Sequence, residues 1–371
     1  MLAKNNTTRS GGTLHRHAGL APPLIPGLDP ESPVFGAPWC TGGASHPSLA
    51  SKCDFVKLEE NKFMEIHKKI IPLLLLAFAV SACGFVGGNQ TTPGGFVRHC
   101  VRLLDREALF ADSPEWLEAK TAVLAEAKTF TSMDQAREAI SKAAKVAGGK
   151  HSALVPPVTD TTSYPEVAPE ARLLDGNVLH VVLPFHTGVK VSDSLYIHVV
   201  LDFLLAHRDA RGVVLDLRGN TGGNMGPMIA SVSPLLPDGI ILRFKGRTRT
   251  MPISLESILR GASLTGSNIE KFPASTPVAI LTDDNTGSSG EATLLCFRGL
   301  DNVRTFGMPT AGYASANVTK FLADGYLLVI TTASDMARTG EVFCDDPIEP
   351  DVRTETPLED AVVWIDSVSQ K

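Results

Sequence analysis

The chain has 371 residues, of which 43% are hydrophobic and 20% are charged, and this composition is typical of a globular protein that can bury a full core. Its formal net charge of −6 argues against a nucleic-acid partner. Neutralising phosphates requires a clustered excess of Lys and Arg, and the sequence contains no such cluster. The length corresponds to one large domain or two modest ones.

The first interpretable element is a secretory signal. A short basic head with Lys68 and Lys69 precedes an apolar run that ends at Ala82 and is too short to span a bilayer. The next residue is Cys83, and the junction resembles the bacterial lipobox, which implies a lipid on that cysteine. We therefore predict a lipoprotein signal peptide over residues 64–82 and an anchor in the bacterial cell envelope on the periplasmic face. A buried helix is the alternative reading of the apolar run.

The residues around this signal have the composition of unfolded chain. Residues 1–63 are rich in Gly, Pro, Ser and Asn without a sustained hydrophobic period, so we predict a disordered, non-native extension with Met64 as the true initiator. Residues 83–96 form a Gly/Thr/Asn/Pro tether behind the lipid. Gly84, directly after the cysteine, favours the outer membrane.

A helical domain is predicted over residues 97–150. Apolar residues recur at helical spacing between Val97 and Val146, which indicates about three helices. Ser113 and Ser132 stand where helices begin, with acidic residues just after them. A connector rich in Thr and Pro is predicted to follow over residues 151–177.

An α/β domain is predicted over residues 178–371. Its strand-like runs are almost continuously apolar and alternate with helical stretches, which favours a mostly parallel sheet buried on both faces. The runs are Val178–Leu183, Gly212–Leu217, Ile240–Phe244, Pro277–Thr282, Val303–Phe306 and Tyr326–Thr331.

Two turns in this domain carry residues suited to chemistry. The strand that ends at Asp216 leads into a Gly-rich turn with Gly222 and Gly223, where backbone amides can point at an anion. A second buried strand leads through small residues to Ser288 and Ser289 at the start of a helix, a position that presents a serine outward beside free amides. An ordinary strand-to-helix turn and a capping serine are the plain alternatives.

Together these segments resemble the C-terminal processing (tail-specific) serine peptidase family over roughly residues 97–365. The motifs stand in the family's order at residues 216–223, 288–291, 307–312 and 350–351. The resemblance implies a Clp protease/crotonase-like spiral core with a small N-terminal helical domain and attack by Ser288 on a peptide carbonyl. It also implies an oxyanion hole made by the amides of Ser289 and of Gly222 or Gly223.

The sequence departs from the best-known members at the general base. The lysine that follows their third motif is replaced by Tyr313, which is a poor base at neutral pH, so a Ser–Lys dyad would need Lys320 or another amine. His151 resembles the histidine base of the related tricorn-type core proteases, and we predict it as the base for Ser288. A histidine that only caps the domain junction is the alternative.

The acid that fixes the histidine tautomer is predicted only loosely. Asp345 and Asp346 stand where the tricorn-type proteases carry an acidic residue, and Ser152 is a weaker candidate. A PDZ domain, which many family members insert before the first core strand, is absent. Four further histidines show no ligand-like spacing, and we read them as non-ligands: His180, His186, His198 and His207.

These observations predict a serine peptidase that uses neither metal nor other cofactor and acts on a peptide or protein substrate. A catalytically silent ligand- or peptide-binding protein and an esterase for small acyl compounds are the alternatives, because fold alone cannot separate them. The oligomeric state and any disulfide among Cys100, Cys296 and Cys344 stay open.

Overall fold

The computed structural model describes residues 90–157, 166–264 and 269–369. The predicted signal peptide, the lipid site at Cys83 and the extension before Met64 lie outside these residues. None of the helices in the described ranges has the length and hydropathy needed to cross a membrane.

The described chain alternates helices and strands after an all-helical start. Its helices are α1 Pro93–Glu107, α2 Pro114–Glu126, α3 Met133–Gly148, α4 Asp193–Ala206, α5 Met225–Ser231, α6 Leu255–Gly261, α7 Ser289–Leu295 and α8 Pro357–Ser369. Its strands are β1 Ala153–Val155, β2 Glu170–Leu174, β3 Val178–Val182, β4 Gly212–Asp216, β5 Ile240–Gly246, β6 Thr250–Ser254, β7 Val278–Thr282, β8 Val303–Gly307, β9 Ser315–Phe321, β10 Leu327–Met336, β11 Val342–Phe343 and β12 Val352–Arg353.

The second and third helices begin where the cap residues predict. The Ser113 hydroxyl accepts the N–H of Trp116 at 3.1 Å, and Ser132 caps α3 in a capping box with Gln135. The apolar faces of these helices pack together and onto strand β10 through Leu328 and Ile330. The helix–sheet contact places the end of α3, and the residues just after it, beside β10.

The parallel sheet carries most of the core. Its strand order is β12-β8-β7-β4-β3-β2, and only the pairing of β2 with β3 is antiparallel. Strands β4 and β7 are buried along their whole length, which explains their nearly unbroken apolar sequences. These two strands are neighbours in register, with Asp216 opposite Leu281, so the turns at their carboxyl ends lie side by side.

A second, antiparallel sheet was not predicted as a separate layer. It has the order β1-β10-β5-β6, with β9 and β11 also paired to β10. The sequence predicts β5 and the first half of β10 but misses β9, because the Ser, Asn, Thr and Lys residues of β9 give no apolar signal. Cys100, Cys296 and Cys344 are free thiols, and the first two are buried.

Candidate active site

Ser288 occupies a sharp turn between β7 and α7. Its backbone angles are φ 51° and ψ −115°, a combination that L-residues rarely adopt and that costs on the order of 1–3 kcal/mol. The turn packs closely on the Gly-rich turn after β4: a Cβ built on Gly222 would lie 2.8 Å from the Cβ of Ser288. The two predicted motifs are therefore in direct contact, and the close approach requires glycine.

Glu291 holds the Ser288 turn from inside the protein. Its buried carboxylate accepts the N–H groups of Ser288 at 2.9 Å, Gly312 at 2.8 Å and Tyr313 at 2.7 Å, as well as the hydroxyl of Thr310. Burial raises the pKa of Glu291 to about 7, although these hydrogen bonds favour the ionised form. This carboxylate therefore links the second motif to the third.

The Gly-rich turn is fixed by Asn220. The side chain of Asn220 accepts the N–H of Gly222 at 2.9 Å, and its backbone carbonyl accepts the N–H of Gly287 at 2.9 Å. The Ser289 hydroxyl donates to the carbonyl of Gly223 at 2.7 Å. Of the three amides predicted for the oxyanion hole, that of Gly222 is therefore already hydrogen-bonded. The amides of Gly223 and Ser289 donate no hydrogen bond to a described residue. Those two amides could serve an oxyanion.

A neighbouring loop clamps the Gly-rich turn from the other side. The backbone of His186 pairs with residues 222–224, and a Cβ on Gly223 would overlap the His186 carbonyl oxygen. The fully buried imidazole of His186 lies 2.9 Å from a Glu166 oxygen and 2.7 Å from an Asp193 oxygen. This histidine, read as a non-ligand, has a structural role that its spacing in the sequence did not reveal.

Glu166 fixes the same loop through its backbone. It lies within the predicted connector, four residues before β2, and is 6% exposed. Its carboxylate accepts the N–H groups of Thr187 at 2.7 Å, Gly188 at 2.8 Å and Lys190 at 2.6 Å. Burial opposes its ionisation, but these backbone hydrogen bonds lower the pKa of Glu166. An ionised carboxylate thus anchors the loop that borders the glycines.

His151 lies just beyond α3 and is 6% exposed. Its Nδ1 is 2.8 Å from the hydroxyl of Ser315, and its buried Nε2 has no hydrogen-bond partner among the described residues. Burial, with a smaller contribution from Lys150, lowers the pKa of His151 to about 3. His151, Ser288 and Ser315 line one cavity of about 270 Å³. The structure therefore brings a neutral imidazole and the strained serine to a common space.

Comparison with known proteins agrees with these motifs. The profile of peptidase family S41 matches residues 197–354. The Nisin-resistance protein of Lactococcus lactis subsp. lactis is 37% identical over 281 residues, which cover 74% of this chain and 88% of that protein. The chain belongs to peptidase family S41. Its motifs at Ser288 and Gly222 are thus S41 motifs in a protein of that family.

Two solved structures share the architecture. A lipoprotein from Streptococcus agalactiae is similar with a TM-score of 0.66 and 28% identity, covering 78% of this chain and 99% of that one. The photosystem II D1 C-terminal processing protease is similar with a TM-score of 0.51 and 13% identity, covering 71% and 93% respectively. At that identity the likeness concerns the fold alone, and it agrees with the expected Clp protease/crotonase-like core.

In this S41 chain the predicted acids do not contact the His151 ring. The Asp345 carboxylate accepts the backbone N–H of Lys150 at 3.1 Å, and Asp346 is exposed. The contact on Nδ1 comes from Ser315, which sequence reasoning missed because β9 carries no motif around it. Among the described residues, the hydrogen-bond partner of the imidazole is thus a hydroxyl and not a carboxylate.

The position of the family lysine holds no basic group in this S41 member. Burial, followed by the nearby Asp345 and Glu291, raises the pKa of Tyr313 to about 12, so it stays protonated at neutral pH. The ring of Tyr313 packs edge-on against His151 at 5.1 Å between centroids. Lys320 pairs with Glu107 at 2.7 Å and is not one of the residues that line the cavity.

Asp216 braces the base of the Gly-rich turn by accepting the backbone N–H and the guanidinium of Arg218. Burial alone would raise its pKa, but the guanidinium of Arg218 and the ring of His180 donate to it and lower its pKa to about 2. Among the described residues, no group of three His, Cys, Asp or Glu side chains is arranged to hold a metal ion.

Proposed function

We propose that this protein is a serine peptidase that cleaves peptide bonds through an acyl-enzyme on Ser288, with His151 as general base. The observation that carries the proposal is the strained Ser288 on the same cavity as a buried imidazole whose Nε2 has no partner among the described residues. Membership of peptidase family S41 supports the reaction class.

The first step is attack of the Ser288 hydroxyl on a peptide carbonyl. A proton on Nδ1 of His151 donates to Ser315, which leaves a lone pair on Nε2 to accept the serine proton. The carbonyl oxygen becomes an oxyanion, and the amides of Gly223 and Ser289 donate to it. Both amides belong to glycine-dependent turns that are already fixed before substrate arrives, so little reorganisation is needed.

The second step releases the leaving amine and then the acyl group. His151 returns its proton to the amine nitrogen as the C–N bond breaks, and a water attacks the ester on Ser288 with the same imidazole as base. The low pKa of His151 keeps the ring neutral at physiological pH. The imidazolium forms only while the oxyanion is present, and a desolvated site strengthens the attraction between these opposite charges.

We further propose that the protein works in the cell envelope. The lipobox-like Cys83 motivates a lipid anchor there, and the similar Streptococcus agalactiae protein is described as a lipoprotein. Gly84 remains the observation that favours an outer membrane. Since a relative is named for resistance to nisin, nisin is the first peptide substrate to assay.

A silent binding protein is the second candidate, because Tyr313 stands in place of the family lysine. Such a protein would hold a peptide in the same cavity without forming an ester. An esterase for small acyl compounds would use the same nucleophile but would not cleave peptides. The proposal is therefore tested by covalent labelling together with peptide cleavage.

The test uses a fluorophosphonate probe on the purified protein. We expect wild type to be labelled at one residue and to cleave a peptide, and Ser288→Ala to lose both activities. His151→Ala should slow labelling by about 10²-fold to 10⁴-fold, the usual contribution of a general base. Ser254→Ala, which removes the cap of α6, is the matched control and should retain labelling.

Labelling that survives in Ser288→Ala would reject this nucleophile. A wild-type protein that binds peptide but reacts with no probe would support the silent binding protein. Cleavage of small esters without any peptide cleavage would support the esterase.

A further inference from the structure

A buried acid on β10 has no role in the reaction described above. Asp335 is 2% exposed and lines the same cavity as Ser288 and His151. Its Oδ1 has no hydrogen-bond partner in the described part of the chain. Burial, with a smaller contribution from Glu291, raises the pKa of Asp335 well above its ordinary value. Burial therefore favours the neutral form of this carboxyl, which shares a cavity with Ser288.

An unsatisfied carboxyl in a protein interior is costly and uncommon. Buried polar groups are almost always hydrogen-bonded, and an exception calls for an explanation such as a ligand. The acids Asp216 and Glu291 on either side of the site show the usual solution, since each accepts several hydrogen bonds. Asp335 differs from them because its Oδ1 accepts no hydrogen bond from a described residue, although the residue lines the cavity.

The cavity in front of Asp335 has mainly apolar walls. Met225, Phe244, Met251 and Val329 contribute to them. Asn317 lines the same space, and its buried Oδ1 is also unpartnered among the described residues. A space of about 270 Å³ lies at the lower limit of small-molecule pockets, so it suits a single side chain. The unpartnered oxygens of Asp335 and Asn317 are both acceptors.

We propose that Asp335 is a specificity-determining residue, and that this cavity receives a Lys or Arg side chain of the substrate residue whose carbonyl Ser288 attacks. The aliphatic part of such a side chain contacts the apolar walls, while its cationic end donates to Asp335 and Asn317. On binding, the Asp335 carboxyl releases its proton to solvent and forms a buried ion pair. The inference rests on the proposed peptidase function and names the substrate class for it.

The charge of the site favours a cation over an anion. No Lys or Arg lines this cavity within the described residues, whereas Asp335 does, and Glu291 lies close enough to disfavour a second negative charge. An acidic substrate residue would have to remain unpaired beside Asp335. A purely apolar residue would fit the walls but leave both acceptors unsatisfied.

The test compares two covalent probes that differ only in the tip of one side chain. Phosphonate esters of lysine and of norleucine have stems of equal length, but norleucine lacks the ammonium. We expect the lysine probe to label wild-type Ser288 at least about tenfold faster, since hydrogen bonds to charged groups favour binding by that factor or more. The same preference is expected in kcat/KM for peptides with lysine or norleucine before the cleaved bond.

Asp335→Asn tests the residue itself. This substitution keeps the shape but removes the charge, and we expect the ratio of lysine to norleucine labelling to fall to about one. Asn317→Ala should reduce the same ratio by a smaller factor. If Asp335→Asn fails to fold, the ratio measured in Asn317→Ala tests the proposal in its place. Asp301→Asn, at an exposed acid of the same sign, is the matched control and should keep the wild-type ratio.

The outcomes separate this inference from the function on which it rests. Equal labelling of wild type by both probes overturns the basic-side-chain inference but leaves the serine peptidase intact. A preference for lysine that persists in both Asp335→Asn and Asn317→Ala also overturns it. A protein that reacts with neither probe, and with no fluorophosphonate, overturns the peptidase proposal and the inference together.

Discussion

The two walls of the catalytic cavity are built differently. On the parallel-sheet side, Ser288 is held by four interlocking elements: its own strained turn, the Gly-rich turn, the His186 loop and the carboxylate of Glu291. On the antiparallel-sheet side, His151 is oriented by a hydrogen bond to Ser315 and by the ring of Tyr313. In the proposed mechanism, the side that would present amides to an oxyanion is thus over-determined, while the side that would move a proton has few constraints.

The largest effect should come from the over-determined side. In Gly223→Ala the new Cβ would overlap the His186 carbonyl, and φ is 111°, which strains any L-residue. We expect complete loss of Ser288 labelling and a loss of more than about 3 kcal/mol in the free energy of unfolding, measured by urea denaturation. Gly219→Ala is the matched control, because φ is also positive, at 70°, but its Cβ would meet nothing within 4 Å.

In Gly219→Ala we expect labelling of Ser288 to persist and the free energy of unfolding to fall by only about 1 kcal/mol. Equal effects of the two substitutions would mean that backbone strain alone, and not the close contact with the His186 loop, matters at Gly223. The two walls of the cavity would then differ less in how tightly their residues are held.

The next effect concerns the charge on Glu291. Its pKa of about 7 means that it gains a proton as the pH falls through neutrality, and a protonated carboxyl loses acceptor capacity for the N–H groups of Ser288, Gly312 and Tyr313. We therefore expect the labelling rate to fall as the pH is lowered from 8 to 6. His151, with a pKa of about 3, stays neutral over this range and contributes no change.

Glu291→Gln sharpens this prediction. The amide has one acceptor oxygen and presents N–H donors where the carboxylate accepted them, so we expect labelling to be slowed by about tenfold or more at pH 8 and to be nearly independent of pH. Glu341→Gln, at an exposed acid, should keep the wild-type profile. A wild-type profile that falls only below pH 5 would contradict the assignment to Glu291.

The smallest effect is expected on the loosely held side. Ser315→Ala removes the hydroxyl that contacts Nδ1 of His151, so the ring can change tautomer or tilt. We expect kcat to fall by about tenfold with little change in KM. Ser315→Thr keeps the hydroxyl and should restore most of the rate. Asp345→Asn and Asp346→Asn should not reproduce the kcat effect, and a larger loss there than in Ser315→Ala would return the orienting role to an acid.

The sequence predicts the over-determined wall well because that wall is made by local chemistry. Local backbone conformation requires particular residues at several positions of this wall. Examples are the glycines at residues 222 and 223, the serine after a buried strand and the cap residues of the helices. The antiparallel sheet and the contact between Ser315 and His151 depend on residues 164 positions apart along the chain. Long-range pairing of this kind produces no periodic hydrophobic pattern within a single polar strand. The sequence therefore did not predict β9 or the contact made by the Ser315 hydroxyl.

The connector before β2 does more than link two parts of the chain, because it contains the buried carboxylate of Glu166. By holding the amides of residues 187, 188 and 190, it ties the exit of that segment to the loop behind the catalytic glycines. Cutting the chain beside Glu166 would disconnect the glycine turn from its support without touching any residue that meets the substrate.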